Sequence, residues 1–206
     1  MEQFTCLRIK KRNLKVYRIR FRVGEKSLPM LRSLQKIFYS ELGRKLKIIH
    51  EEINFYGTHI YSLGTNVNKL LPKFAALGIR KKGISNSLAA NKRLFCAYLA
   101  GLIDGDGDIR IKKPRYPQCE IRITAKKPSR RLNELIRKHL ACGTRIQKLC
   151  GNSVIEGRPV FGSGCQQSFY VSSKNIRTFK KYVDPHICIK HKKSTLRKFY
   201  RIKKWA

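Results

Sequence analysis

Apolar and polar residues alternate with a period of two in several short segments of the C-terminal half. Apolar and basic side chains alternate over Ile109–Lys113 and Glu120–Thr124, which is typical of half-buried β-strands. Two further strands are predicted near Thr144–Leu149 and Gln167–Ser172. The stretch between them, Gly151–Gly164, is rich in glycine and is therefore predicted to be a loop.

Other segments of the same half have the longer period of an amphipathic helix. The pattern predicts helices over Asn91–Ile103, from Ser129 to Leu140, over Lys174–Val183 and from Lys192 to the C-terminus. Ser129 is a good N-cap. The predicted order from Asn91 is therefore helix–strand–strand–helix–strand–strand–helix, followed by a basic C-terminal helix.

The N-terminal half repeats this order without its first helix. The predicted elements are a hairpin of Cys6–Lys11 and Lys15–Val23, a helix over Pro29–Leu42 ended by Gly43, strands over Lys45–Glu51 and Thr58–Leu63, and a helix over Asn66–Leu77. Such internal similarity indicates a duplication. The expected organisation is a degenerate repeat over 1–78, a linker over 79–90 and a second repeat over 91–206.

The charge of the chain identifies the class of its partner. Its 206 residues include 47 Lys and Arg against 12 Asp and Glu, a formal net charge of +35. An excess of this size calls for a polyanion. No apolar run is long enough to span a bilayer, so we expect nucleic acid rather than a membrane. The seven scattered cysteines indicate reduced thiols in an intracellular compartment.

One segment carries a specific signal for chemistry. Residues Leu99–Gly107 have the sequence L-A-G-L-I-D-G-D-G. The small residues Ala97, Gly101 and Gly105 recur every four positions, so they share one helix face and allow a second helix to approach closely. Asp106 lies at the end of that helix. An acid at the tip of a close helix pair can meet its counterpart and bind a divalent cation between them.

This segment resembles the signature of the LAGLIDADG homing endonucleases, with Gly105 in place of the consensus alanine. The resemblance implies an α+β fold of αββαββα repeats whose concave antiparallel sheets bind nucleic acid. It further implies a site-specific double-strand DNA endonuclease that uses Mg²⁺. Asp106 matches the acid that binds the metal, the Gly105 carbonyl is a second candidate ligand, and Lys190 matches the lysine that stabilises charge near the scissile phosphate.

The chain departs from the family pattern in two respects. Ala125 and its neighbours occupy the place where a glutamine often follows the second strand, and alanine cannot position a water molecule. The motif occurs once, whereas an active site of this family needs two motif helices. Either two chains pair through the small-residue face, or the chain only binds nucleic acid.

The second possibility is a non-catalytic RNA-binding protein on the same fold, such as an intron maturase or a mitochondrial ribosomal protein bound to rRNA. An organelle or an archaeal or bacterial cytoplasm suits either function. In both cases arginines on the strands could contact base edges and lysines could contact phosphates. The predicted nucleic-acid-binding residues are Arg18, Arg20, Arg22, Lys45, Lys47, Arg110, Lys112, Lys113, Arg122, Arg145 and Lys148.

Overall fold

A computed structural model describes most of the chain. It covers residues 3–11, 14–43, 45–70, 72–73, 84–112, 117–125, 127–149, 152–155, 158–161 and 164–203. Side chains are described for these residues except 3–17, 148–149 and 152–164. The chain forms two compact units. Unit 1 comprises Met1–Lys82 with Cys188–Lys190, and unit 2 comprises Gly83–Ile187 with His191–Ala206.

Unit 1 is a four-stranded antiparallel sheet with one long helix. Its elements are β1 (Gln3–Lys11), β2 (Leu14–Gly24), α1 (Leu28–Leu42), β3 (Ile48–Ile53) and β4 (His59–Asn66), and the strand order is β1-β2-β4-β3. Ile19, Val23 and Leu63 of the sheet form a core with Leu31 and Phe38 of α1.

Unit 2 repeats this strand order around a larger set of helices. Its elements are α2 (Asn86–Ala90), α3 (Lys92–Asp106), β5 (Gly107–Lys112), β6 (Gln118–Ala125), α4 (Arg130–Leu140), β7 (Gly143–Leu149), β8 (Asn152–Ile155), β9 (Arg158–Phe161), β10 (Gly164–Val171), α5 (Ile176–Tyr182) and α6 (Lys190–Ile202). The sheet order is β5-β6-β10-β7, and β8 and β9 form a separate hairpin. Without that hairpin the connectivity is the one found in unit 1, and the predicted α+β fold is confirmed.

Two helices begin or end at residues whose types are typical of helix caps. Gly43 ends α1 with φ +69°, a left-handed conformation that glycine adopts without strain. The Ser129 hydroxyl accepts a hydrogen bond from the Leu132 backbone N–H (3.2 Å) and so caps α4. Ala141, rather than Gly143, takes the left-handed position after α4, with φ 54°.

Three predicted elements differ from the structure. The segment Gly151–Gly164 was expected to be a loop, but it contains the β8–β9 hairpin, in which Asn152 pairs with Phe161. Apolar and β-branched residues within both strands outweigh the surrounding glycines.

The helix expected over Asn66–Leu77 is wrong at its start. Strand β4 extends to Asn66, and a short 3-10 turn follows over Asn68–Leu70. Val67 and Leu70 are buried in the unit 1 core, so tertiary packing sets the backbone there. Residues 74–83 lie outside the described part of the chain.

The expected linker over 79–90 contains a helix, because its residues 86–90 form α2. The Ser85 hydroxyl accepts a hydrogen bond from the Leu88 N–H (3.3 Å) and provides the N-cap. Leu88 and Ala89 are buried, so this part of the linker belongs to the core of unit 2. Within the described ranges, no helix is both long and apolar enough to cross a bilayer.

Candidate metal centre and nucleic-acid interface

Helix α3 presents the Leu99–Gly107 motif. Asn91 caps its first turn, where the side-chain Oδ1 accepts a hydrogen bond from the Leu94 N–H (3.1 Å). Phe95, Leu99 and Ile103 have the spacing of one helix face and are fully buried. This apolar stripe anchors the helix and fixes the direction in which its C-terminal end points.

The chain leaves α3 through a turn that requires glycine at position 107. The backbone at Gly107 has an ordinary φ of −93°, so strain is not the reason. A Cβ atom there would lie 2.5 Å from the carbonyl oxygen of Ile103, closer than real Cβ atoms approach backbone. The turn leaves Asp106 exposed, whereas Asp104 is only 2% exposed. Of these two carboxylates, Asp106 is therefore the one placed to bind a ligand from solvent.

A buried lysine from α6 caps the end of α3. The Lys192 Nζ donates hydrogen bonds to the carbonyl oxygens of Ile103 (2.6 Å) and Asp104 (2.8 Å), and the residue is 7% exposed. The last carbonyls of a helix lack partners within it and carry a partial negative charge, so an ammonium group stabilises them. Lys192 thus holds the turn from which Asp106 projects.

The sequence predicted a role for Lys190 but not for Lys192. The structure places Lys190 at the exposed start of α6. Residues two apart on a helix are separated by about 200°, so the two lysines project to different sides. A signal for Lys192 was present, because it has helical spacing with the buried Leu196 and Phe199.

The face of α3 that bears the small residues is open. Gly101 is exposed, and a Cβ atom there would meet nothing within 4 Å. Ala97 and Gly105 are half-buried. Leu94 and Tyr98, on the same side, are 42% and 36% exposed, so they extend this open surface. This surface, which we call the α3 face, therefore has room for a second helix.

The donor set at the end of α3 suits a hard divalent cation. Asp106 provides a carboxylate, and the Gly105 carbonyl belongs to the last turn, where helix carbonyls lack helical partners. Oxygen ligands of this kind are preferred by Mg²⁺ and Ca²⁺. Among the described residues, no three His, Cys, Asp or Glu side chains are grouped as metal ligands.

One surface of the unit 2 sheet carries paired charges. In register, Asp108 is opposite Arg122 and Arg110 is opposite Glu120, whereas Ile109 is opposite Ile121 in the core. We call the surface with Asp108, Arg110, Lys112, Glu120 and Arg122 the unit 2 open face.

The acids of the unit 2 open face hold its basic side chains in place. Glu120 is 3% exposed, and its Oε2 lies 2.8 Å from the Lys112 Nζ. Its Oε1 accepts a hydrogen bond from the Tyr170 hydroxyl (3.0 Å). Burial alone would raise the pKa of Glu120, but Lys112, Tyr170 and Arg122 outweigh burial and lower it. Asp108 accepts hydrogen bonds from Arg110 and Arg122, and its pKa is also lowered despite partial burial.

Unit 1 has a corresponding open face on β2 and β3. Arg20 and Arg22 both donate to Glu51, and Arg22 also donates to Glu52. Burial alone would raise the pKa of Glu51, but hydrogen bonds from Ser62, Arg20 and Arg22 together lower it to about 2. Both sheets therefore carry arginines held by carboxylates on the surface opposite their cores.

Solved structures similar to this chain include homing endonucleases bound to DNA. I-DmoI in complex with DNA and Ca has a TM-score of 0.56 and 18% identity, covering 95% of this chain and 90% of that chain. A variant of I-DmoI with its target DNA and Mg has a TM-score of 0.52 and 19% identity, over 87% and 86%. The homing endonuclease I-WcaI bound to its DNA recognition sequence has a TM-score of 0.52 and 16% identity, over 94% and 80%. The chain has the LAGLIDADG homing endonuclease fold. No protein-family model and no curated protein matches its sequence.

Within this LAGLIDADG fold, the predicted nucleic-acid-binding residues divide into several groups. Arg18, exposed on β2, shares the face of Arg20 and Arg22, and Arg145 is exposed on β7 opposite Ser168. Lys45 and Lys47 are exposed in the segment before β3.

The side chains of two predicted binding residues lie outside the described part of the structure. Lys148 of β7 pairs with Cys165 of β10, so along the strand it does not share the alternating positions of Arg145 and Gln147. Its side chain is not among those that the structure describes. Lys113 also lies outside the described residues. Ala125 is the last residue of β6.

Proposed function

We propose that this protein is a site-specific, divalent-metal-dependent DNA endonuclease of the LAGLIDADG type. The observation that carries the proposal is the exposed Asp106 at the tip of α3, beside a helix face that has room for a second helix. The LAGLIDADG fold supports the same reaction class, because I-WcaI, a homing endonuclease of this fold, is bound to its DNA recognition sequence.

The roles of the residues follow from their chemistry. Asp106 and the Gly105 carbonyl would hold Mg²⁺. The bound ion would activate water and stabilise the leaving oxygen of the phosphodiester. Lys192 would keep the α3 terminus in place, and the exposed Lys190 would stabilise charge on the phosphate.

A complete active site in this proposal needs a second Asp106. The sequence carries one copy of the motif, and a second copy of the chain would supply the other acid through paired α3 faces. Small residues at Ala97, Gly101 and Gly105 would allow close backbone approach, and Leu94 and Tyr98 would be buried by the contact.

The two open faces would then contact the DNA. Arg20, Arg22 and Arg122, each held by a carboxylate, present oriented guanidinium groups of the kind that contact guanine edges. Exposed Lys45 and Lys47 would contact phosphates.

Cleavage of a randomised plasmid library with added Mg²⁺ tests this proposal. We expect nicked or linear products from the wild-type protein and a loss of about a hundredfold or more in rate for Asp106→Asn. Glu134→Gln is the matched control, because it removes an exposed carboxylate from α4. Equal activity of wild type and Asp106→Asn would assign any cleavage to a contaminant or another site.

The second candidate is an RNA-binding protein on the same fold, and the single motif in the sequence favours it. Absence of cleavage with any divalent ion, together with tight binding of structured RNA, would select this function. For either function we propose a reducing compartment, in an organelle or in an archaeal or bacterial cytoplasm. The cysteines Cys96, Cys119, Cys142 and Cys165 are buried thiols, which supports that location.

A further inference from the structure

The last two helices carry a dense positive surface. Lys180 and Lys181 are exposed on α5, and Arg197, Lys198 and Arg201 are exposed on α6. The spacings of the α6 residues, one, three and four positions apart, place them on one side of that helix. We call these five residues the α5–α6 surface.

The α5–α6 surface lies on the other side of the sheet from the unit 2 open face. The Phe179 ring of α5 packs against Phe169 of β10, with 6.3 Å between centroids. Phe169 is in register with Ile121 of the core, whereas its neighbours Ser168 and Tyr170 are opposite Arg122 and Glu120. Because α5 packs on the core side of the sheet, its exposed lysines point away from the open face.

The two helices form one electrostatic surface. The Lys180 Nζ lies 5.4 Å from the ring centroid of Tyr200 on α6. Lys180 and Arg197 both favour the charged form of Asp184, whose burial nevertheless raises its pKa. Cations from both helices therefore lie near Asp184.

On the α5–α6 surface, fewer acidic residues balance the cations than on the open faces of the two sheets. The sequences of α5 and α6 contain no Asp or Glu, and Asp184 in the connecting turn is half-buried. On the unit 2 open face, by contrast, Asp108 and Glu120 pair with the basic residues. Cations gathered without acids repel one another until a polyanion neutralises them.

We propose that the α5–α6 surface is a second nucleic-acid site, which binds a phosphodiester backbone independently of the sheets. Its residues are cations that attract phosphates, without the carboxylates that fix arginines on the sheets. It therefore binds without sequence preference and engages a second strand or a distant segment of the same nucleic acid.

A lipid surface fits these helices less well. A helix that lies on a membrane inserts an apolar face, but Leu196, Phe199 and Tyr200 of α6 are already buried in the protein. Among the described residues of α6, Ile202 is the large apolar side chain left exposed.

The test compares two charge-matched double variants. Lys198→Gln/Arg201→Gln removes two exposed cations one turn apart on α6, and Arg32→Gln/Lys36→Gln removes two exposed cations one turn apart on α1. Fluorescence anisotropy at several salt concentrations gives the affinity for a 25-bp DNA duplex and for an RNA hairpin. Thermal unfolding of each variant verifies its fold.

We expect the α6 variant to bind at least one probe about tenfold more weakly, with a salt slope reduced by about 1.8 on duplex DNA. The α1 variant should remain close to wild type. Equal losses for the two variants would mean that binding follows net charge rather than a site, and unchanged binding by the α6 variant would also overturn the proposal.

Independence from the sheets has its own measurement. Because two independent sites each bind their own duplex, titration of the wild type should give two affinities, of which Arg122→Gln lowers one and the α6 variant lowers the other. A single affinity that both variants lower would place both sets in one site. Loss of binding to phosphatidylserine vesicles, with nucleic-acid binding intact, would reassign the surface to lipid. These readouts are binding affinities, so they are independent of whether Asp106 supports cleavage.

Discussion

Lys192 is the single residue whose contacts explain most about the candidate metal centre. A buried ammonium group is costly unless it is hydrogen-bonded, and Lys192 satisfies this requirement with two carbonyls at the negative end of α3. The charge and the helix terminus stabilise each other, at the carbonyls of the two residues that lie three and two positions before Asp106.

Replacing Lys192 should destabilise the fold. In Lys192→Met the Asp104 carbonyl loses its hydrogen bond to the ammonium group, and the helix terminus loses its cation. We expect a decrease of about 1–3 kcal/mol in the free energy of unfolding, measured by urea denaturation. Lys198→Met, at an exposed position of α6, should change it by less than about 0.5 kcal/mol. A stable Lys192→Met protein would show that the cap is dispensable.

Individual residues were predictable where local chemistry determines them. The sequence placed Asp106 at a helix end, and Ser129 as a cap, because caps and glycine turns act over a few positions. The ion pairs of Glu51 and Glu120 and the hydrogen bond from Tyr170 to Glu120 were not predicted. They join residues about 30, 8 and 50 positions apart and depend on strand register.

At the scale of elements, the paired charges on the sheets give stability that depends on pH. Glu51 on β3 contacts two arginines of β2, across the intervening strand β4. Its pKa of about 2 lies below the ordinary value of 4.5 for glutamate. The carboxylate therefore stabilises the folded state above about pH 4.5, and this stabilisation is lost as the pH falls towards 2.

Glu51→Gln should remove this contribution. We expect the free energy of unfolding at pH 7 to be about 1–2 kcal/mol lower than in the wild type, because solvent screens the exposed Arg20 and weakens its ion pair. We expect this difference to shrink as the pH falls below 4.5. Urea denaturation at pH 7, 4 and 3 measures it. Glu134→Gln, which removes an exposed carboxylate, serves as the reference. A difference that is constant with pH would argue against the ion pairs as its source.

Element types were predicted well where the period was sustained, and poorly where it was short. The strands β5 and β6 alternate over six and eight residues, and both were predicted. Strands β8 and β9 have four residues each and are flanked by glycines, so composition favoured a loop.

At the scale of the whole molecule, the two units share one strand order but differ in what surrounds it. The second unit contains α3 with the motif, whereas the motif occurs nowhere else in the sequence. Internal similarity in the sequence predicted a duplication, because the apolar pattern and turn residues recur in the same order. In the proposed endonuclease, the number of chains depends on whether two α3 faces pair.

Gly101→Leu tests whether two chains pair through the α3 face. The open space at this position accepts the side chain, and leucine favours helix over glycine by about 0.8–1 kcal/mol, so the monomer should stay folded. A bulky residue would prevent close helix approach. We expect sedimentation to show a dimer for wild type and a monomer for Gly101→Leu, with Gly101→Ala intermediate. A dimer that survives Gly101→Leu would place the interface elsewhere.

The β8–β9 hairpin has a consequence for how such a fold can change over evolutionary time. Strands β7 and β10 pair directly from Gly143 to Leu149, and the corresponding strands of unit 1 are joined by a short turn between Ile53 and His59. The hairpin is thus extra chain added at one end of a sheet whose register it does not set. Since the entropy of closing a loop rises slowly with length, the segment can be lengthened, shortened or exchanged at little cost. The length of the β8–β9 hairpin can therefore change under selection while the fold stays the same.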